Sequence, residues 1–182
     1  MKKVALYLAE GFEEIEALAT ADVLRRAEVE VDLIAVGGNR EVSGAHNIRV
    51  VADTFIEDIS HEKYDMMILP GGMPGTLNLD SSKMLKKQII DFDLESKYIG
   101  AICAAPLVIG KMGFLEDRQA TCYPGVESQL FGAVYKDDLD VVVDGNFITS
   151  RGPGTAIPFA LKLVELLKGE EMSKNLASDL LV

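Results

Sequence analysis

An α/β fold on a mostly parallel sheet is predicted by two features of this 182-residue sequence. Short apolar runs alternate with longer segments of helical period, and glycine- and proline-rich turns punctuate the joins. One domain spanning residues 1–182 accounts for the length, because no repeat, linker or low-complexity stretch divides it.

The elements follow in order. Lys2 to Leu8 reads as the first strand. Glu13 to Ala27 reads as a helix with Ile15, Leu18, Ala19, Val23 and Ala27 on its apolar face and Glu14 among its solvated residues. Val29 to Val36 is a second strand, stopped by Gly37-Gly38-Asn39. Glu41 to Ala52 fits a hairpin around Ser43-Gly44, with a loop and short helical turn from Asp53. Tyr64 to Leu69 is a strand, and Pro70-Gly71-Gly72-Met73-Pro74-Gly75 is too rich in glycine and proline to be regular. Ser81 to Phe92 reads as a helix, Tyr98 to Ile102 as a buried strand, and Ala104 to Met112 as a helix ending at Gly113. Ala120 to Tyr123 and a short helix over Val126 to Phe131 precede a hairpin, Asp140 to Val143 and Phe147 to Thr149, across Asp144-Gly145-Asn146. Ala156 to Leu167 is the last helix assigned.

Composition narrows the function classes. The net charge of -11 repels phosphate backbones and anionic lipids, so no nucleic-acid partner is expected. No apolar stretch approaches the roughly 20 residues that cross a bilayer, so no membrane partner is expected either. Glu10, Glu13 and Glu14 follow the first apolar run where a signal peptide would stay apolar. With only two cysteines, Cys103 and Cys122, a disulfide framework is not expected, and a reducing cytoplasmic setting is. The two histidines, His46 and His61, fall in loops at no metal-ligand spacing. Neither is given a role, and no metal or cofactor is predicted.

Cys103 is the residue that carries chemistry. It lies where a strand ends and a helix begins, with Pro106 in the first helical turn and Gly100, Ala101, Ala104 and Ala105 around it. Such a turn projects one side chain from the carboxyl edge of the sheet, where open α/β folds place their ligands. A helix start stabilises thiolate over thiol, which would make Cys103 a nucleophile and an oxidation target. The competing reading is a thiol that fills a small space in the core.

Four motifs in chain order resemble the DJ-1/ThiJ/PfpI superfamily, and in particular its DJ-1-like branch. They are Glu13-Glu14-Ile15-Glu16, Ile68-Leu69-Pro70-Gly71-Gly72, Ala101-Ile102-Cys103-Ala104-Ala105-Pro106 and Thr149-Ser150-Arg151-Gly152-Pro153-Gly154-Thr155. The resemblance implies a flavodoxin-like three-layer sandwich, a homodimer, and an elbow cysteine, Cys103, partnered by a protonated glutamate. By motif position that glutamate is Glu16, with backbone N–H donors from Gly72 and Ala104. Glu13, Gly71, Tyr123 and Arg151 would border the pocket. Elementary chemistry agrees about Glu16, since burial and a nearby thiolate both raise a carboxyl pKa and let it donate to sulfur.

Two departures bear on activity. Relatives that act as Cys-His hydrolases carry a histidine directly after the cysteine, and Ala104 stands there, which disfavours protease chemistry. DJ-1-like relatives often bring a second histidine near the cysteine from the segment that here reads Thr121-Cys122-Tyr123-Pro124. Tyr123 can donate a hydrogen bond but is a poor base near neutral pH. Cys122 is either a resolving thiol or a plain strand residue. Arg151 either binds an anion or anchors its loop, and Arg26 either joins a dimer interface or lies on a solvated face.

The resemblance implies a cofactor-independent glyoxalase or deglycase in stress defence, acting on small dicarbonyls such as methylglyoxal. The other reading is a redox-responsive stress protein or chaperone in which an oxidant modifies Cys103. A noncatalytic dimeric scaffold is the third.

Overall fold

A computed structural model describes residues 1–182. The chain forms β1 (Lys3–Leu8), α1 (Glu14–Arg26), β2 (Glu30–Ala35), β3 (Glu41–Ser43), β4 (Arg49–Val51), β5 (Thr54–Phe55) and β6 (Met66–Leu69). It continues through α2 (Gly75–Ser81), α3 (Lys83–Leu94), β7 (Tyr98–Ile102), α4 (Pro106–Lys111), β8 (Gln119–Ala120) and β9 (Val134–Tyr135). The hairpin β10 (Val141–Asp144) and β11 (Phe147–Ser150) then leads to α5 (Ala156–Lys168) and α6 (Glu170–Asp179).

Seven strands form the central sheet in the order β10-β11-β7-β6-β1-β2-β5. Every neighbouring pair is parallel except β10 with β11, which the tight turn at Asp144-Gly145-Asn146 makes antiparallel. The two-residue side-chain period of a strand divides the core. On β1, Val4, Leu6 and Leu8 join α1, α5 and α6 on one face. Ala5 and Tyr7 join α2, α3 and α4 on the other. The result is the three-layer α/β/α sandwich with a mostly parallel sheet expected from the sequence.

Several local expectations are corrected. Ile15 and Leu18 are exposed, while Glu14 is buried. The face of α1 that packs inward carries Glu16, Ala17, Thr20, Ala21, Val23 and Leu24. Side-chain hydropathy misplaced Glu14 because its carboxylate is satisfied by backbone N–H groups of the β3–β4 turn. Thr54–Phe55, read as loop, adds a short parallel edge strand to β2. The Gly/Pro loop after β6 runs into α2, and Ser82 caps α3 by accepting a hydrogen bond from Leu85 N–H. Val126 to Phe131 contains only a single 3-10 turn, Glu127–Gln129, and the extended segment ending at Tyr123 pairs as a strand only over Gln119–Ala120. Glu170–Asp179 forms a helix where no element was assigned.

Candidate functional site

β7 ends at Ile102, and Cys103 turns the chain with φ of 66°, a left-handed conformation that side chains with a Cβ rarely adopt. Holding it there costs on the order of 1–3 kcal/mol, which neighbouring hydrogen bonds must offset. Cys103 N–H donates to Ser150 O at 2.9 Å, and Cys103 O accepts from Tyr123 N–H at 2.8 Å. The elbow is thus tied to β11 on one side and to the segment after β8 on the other. Ala104 and Ala105 lead into α4, where Pro106 occupies the start of the helix.

Glu16 reaches the elbow from the first turns of α1. Its side chain has no exposed surface, and its Oε2 accepts from Gly71 N–H at 2.7 Å. Its second oxygen is buried with no oxygen or nitrogen partner, and the Cys103 thiol couples to the carboxyl. Burial pushes the Glu16 pKa up to about 7 against the opposing effects of Cys103 and Gly71 N–H, and the Glu13 charge adds to the rise. Gly71 must be glycine, because a Cβ there would stand 2.7 Å from Cys103 Cβ and 2.9 Å from Glu16 Oε2.

The thiol departs from its expected behaviour. Burial raises the Cys103 pKa, and the charge and hydrogen bond of Glu16 as a carboxylate raise it further. The backbone N–H groups of Ala104 and Gly72 hydrogen-bond the sulfur and act in the opposite direction. The helix start does not dominate because α4 is only six residues long and the elbow is buried. Protonating Glu16 removes the charge opposing the thiolate and supplies a donor to it. Burial raises both pKa values, and the two groups lie close enough that the protonation of Cys103 and Glu16 is coupled.

A cavity of about 360 Å³ opens over the sulfur, lined by Glu13, Gly72, Met73, Cys103, Ala104, Tyr123, Val126 and Pro153. Of the sequence-selected residues, Cys103, Gly72, Ala104, Glu13 and Tyr123 meet here, with Glu16 and Gly71 directly behind them. Arg151 instead lines a neighbouring cavity with Tyr123, Pro124 and Asp140. The alternation that continues past β11 turns Arg151 away from Ser150 and Gly152, and its charge acts on Cys122. The loop after Arg151 is anchored by Thr155, whose Oγ1 accepts from Gly152 N–H at 3.1 Å. Cys122 packs among the side chains of the other core cluster from Cys103. Arg26 pairs with Asp22 one turn away on an exposed face.

Sequence reasoning missed Met73, Val126 and Pro153 as residues lining this cavity, and Gly152 beside it. Gly152 carried a signal in its motif: a Cβ there would press Tyr123 at 3.2 Å and approach Cys103 Sγ at 4.0 Å. Met73 and Val126 are ordinary apolar residues of irregular segments and carried none.

Residues 2–166 match the family described as DJ-1/PfpI family. The chain belongs to the DJ-1/PfpI family. Protein dj-1beta of Drosophila melanogaster is 39% identical over 182 residues, covering 100% of this chain and 97% of that protein. Its crystal structure superposes on this DJ-1/PfpI member with a TM-score of 0.95 over 100% of this chain and 98% of that one. The glutathione-independent glyoxalase DJR-1.2 of Caenorhabditis elegans is 39% identical over 98% of this chain and 96% of its own length. The glutathione-independent glyoxalase DJ-1 of Schizosaccharomyces pombe is 35% identical over 94% of each chain. No helix of this DJ-1/PfpI member is long and apolar enough to cross a membrane.

Proposed function

We propose that this protein is a cysteine-dependent, cofactor-independent glyoxalase or deglycase acting on small reactive dicarbonyls such as methylglyoxal. The observation that carries the reading is the left-handed Cys103 elbow, whose sulfur meets Ala104 and Gly72 N–H groups and the buried Glu16 carboxyl at the floor of one cavity. Two full-length relatives bear the name glutathione-independent glyoxalase, which supports the same class.

In the reaction Cys103 Sγ attacks the aldehyde carbon of methylglyoxal and forms a hemithioacetal, while Glu16 gives its proton to the carbonyl oxygen. The Glu16 carboxylate then takes the proton from that carbon and returns one to the neighbouring carbon, and the hydroxyl proton on the first carbon's oxygen passes to the ketone oxygen, so the aldehyde carbon is oxidised as the ketone is reduced. The resulting lactoyl thioester is hydrolysed by one water, which releases lactate and regenerates the thiol. Gly72 and Ala104 N–H groups face the developing oxyanion. Tyr123 borders the cavity as a hydrogen-bond donor, leaving proton transfer to Glu16.

The test is conversion of methylglyoxal to lactate by the metal-stripped protein. Turnover lost in Cys103→Ser is expected, and lack of Cys103-dependent lactate would overturn the reading. A second reading, oxidation of Cys103 to a sulfinate held by the same donors, is favoured by the likeness to a Toxoplasma gondii DJ-1 structure described as oxidized, 37% identical with a TM-score of 0.94. Mass spectrometry after mild peroxide tests it, and equal oxygen uptake at Cys122 would overturn it.

A single domain, a cytoplasmic setting and a homodimer complete the proposal. The two free thiols suit a reducing compartment. Ile15 and Leu18, exposed on α1, offer an apolar face for a second copy. Sedimentation of a particle twice the chain mass is expected, and a monomer at micromolar concentration would contradict the homodimer.

A further inference from the structure

The Cys103 chemistry leaves Arg151 unused. Of the six arginines in the chain, the other five each have a partner within it. Arg25 donates to Val31 O and Arg40 to Ala52 O, while Arg26, Arg49 and Arg118 donate to Asp22, Glu41 and Asp144. Arg151 has neither a hydrogen bond nor an ion pair, although it is half-buried where Arg25, Arg26, Arg40 and Arg49 are exposed. Nor does it anchor its own loop. Thr155 does so, with Oγ1 accepting from Gly152 N–H at 3.1 Å and lying 3.0 Å from Gly152 O and 2.7 Å from Ser150 Oγ.

Arg151 borders a cavity of about 220 Å³ with Tyr123, Pro124, Asp140 and the turn 152–155. Tyr123 and Pro153 also line the cavity over Cys103, so the two spaces adjoin. A Cβ on Gly152 would stand 4.0 Å from Cys103 Sγ. Adjacent Cα atoms are about 3.8 Å apart, which puts the Arg151 backbone within roughly 9 Å of the sulfur. The charge of Arg151 acts on Cys122 and Tyr135, which pack in the core cluster of α2, α3 and α4. That direction leads away from Ile15 and Leu18, the exposed face of α1 offered to a second copy.

A half-buried guanidinium whose donors meet no acceptor is costly until a ligand supplies one. We infer that Arg151 binds a carboxylate on the substrate, so that the preferred substrates of Cys103 are 2-oxoaldehydes with an acidic tail. The inference rests on the dicarbonyl reading of Cys103. The planar guanidinium matches a carboxylate through two parallel N–H···O bonds. Asp140 borders the same cavity without pairing to Arg151, and its charge opposes a doubly charged phosphate more than a singly charged carboxylate. Two methylenes between ketone and carboxylate suit the span, since bonds near 1.5 Å and a contact near 2.8 Å carry the acidic end to a guanidinium roughly 9 Å from the sulfur.

The tail leaves the chemistry at Cys103 as it is. A molecule of this shape, 4,5-dioxopentanoate, would take up one water and give 2-hydroxyglutarate, as methylglyoxal gives lactate. Arg151 holds a group remote from the reacting carbons equally in ground and transition states, so its contribution is read in KM.

The test compares kcat/KM for 4,5-dioxopentanoate with that for 5-methyl-2-oxohexanal, in which an isopropyl group replaces the carboxylate. A preference of more than about tenfold for the acid is expected in the unsubstituted protein, the scale of a charge-assisted contact. Arg151→Met is expected to bring the ratio within about threefold of one through KM, and Arg151→Lys to keep part of the preference. A second measurement needs no turnover: calorimetry of levulinate, a keto acid of the same length without the aldehyde, on Cys103→Ser with and without Arg151→Met. Weakening by more than about tenfold is expected. Absence of turnover for every dicarbonyl, with levulinate still bound through Arg151, would overturn the Cys103 reading and leave the carboxylate subsite standing. A ratio near one in the unsubstituted protein, no levulinate binding, or a levulinate affinity unchanged by Arg151→Met would overturn the subsite.

Discussion

Cys103 and Cys122 are both free, both buried, and both pushed up in pKa by burial first of all, yet their surroundings give them different chemistry. Cys122 packs among apolar side chains, and Arg151 is the group that draws its pKa down, against the charge of Glu127. Cys103 sits at a left-handed elbow with two backbone N–H donors on sulfur and a carboxyl that can carry a proton. Burial alone makes a thiol inert. In the proposed function, donors placed inside the buried volume, and a partner able to hold one proton, are what would separate a nucleophile from a packing residue.

The sharpest way to break this comparison is to exchange the thiols. Cys103→Ser is expected to lower methylglyoxal turnover by about a thousandfold or more, because the nucleophile is lost with the fold intact. Glu16→Gln keeps the shape and the acceptor for Gly71 N–H but removes the transferable proton. It is expected to lower kcat by about 10²–10⁴-fold, the range for loss of a positioned acid–base group. Gly71→Ala introduces a Cβ between Cys103 and Glu16, and displacement of the reacting groups by about an ångström is expected to cost roughly 10²-fold in kcat/KM. Cys122→Ser is expected to change turnover by less than about threefold, although a buried hydroxyl without a partner would lower stability by about 1–3 kcal/mol.

The pair also predicts a pH dependence of stability with a definite sign. The folded-state pKa of Glu16 is raised from 4.5 to about 7, so the folded state binds the proton more tightly than the unfolded chain. The contribution is fully present below about pH 4.5 and is lost as pH rises through about 7, a change of about 3 kcal/mol. Chemical denaturation between pH 4.5 and 8 is expected to show this decline in the unsubstituted protein and a flatter profile in Glu16→Gln. Parallel profiles would contradict a raised Glu16.

Much of the scaffold was legible because strand burial and turn chemistry act locally. Tyr98–Ile102 is apolar on both sheet faces and ends against a proline-started helix, so its bounds follow from five residues and Pro106. The hairpin at Asp144-Gly145-Asn146 was equally local. The face of α1 was not, because its burial is decided by partners distant in sequence. Backbone N–H groups at His46 and Ile48 bury Glu14, while Ile15 is left outside. The edge strand Thr54–Phe55 is two residues long and gains its identity only from β2.

At the site, motif order located Cys103, Glu16, Gly72 and Ala104, and the fold brings their atoms together. The direction of the thiol pKa was misread because position at a helix start is visible in a sequence and depth of burial is not. Arg151 was misplaced by one strand alternation, which turns its side chain into the next cavity.

The central claim of the proposed function is that Glu16 keeps its proton and donates it in a hydrogen bond to the Cys103 thiolate. The pH profile of Cys103 alkylation, measured in a Cys122→Ser background with and without Glu16→Gln, tests it most directly. A protonated donor predicts that Glu16→Gln moves the alkylation midpoint upward, because an amide N–H supports a thiolate less well than a carboxylic O–H. A midpoint that moves downward would show Glu16 to be a charged neighbour that only repels the thiolate, and would contradict the account.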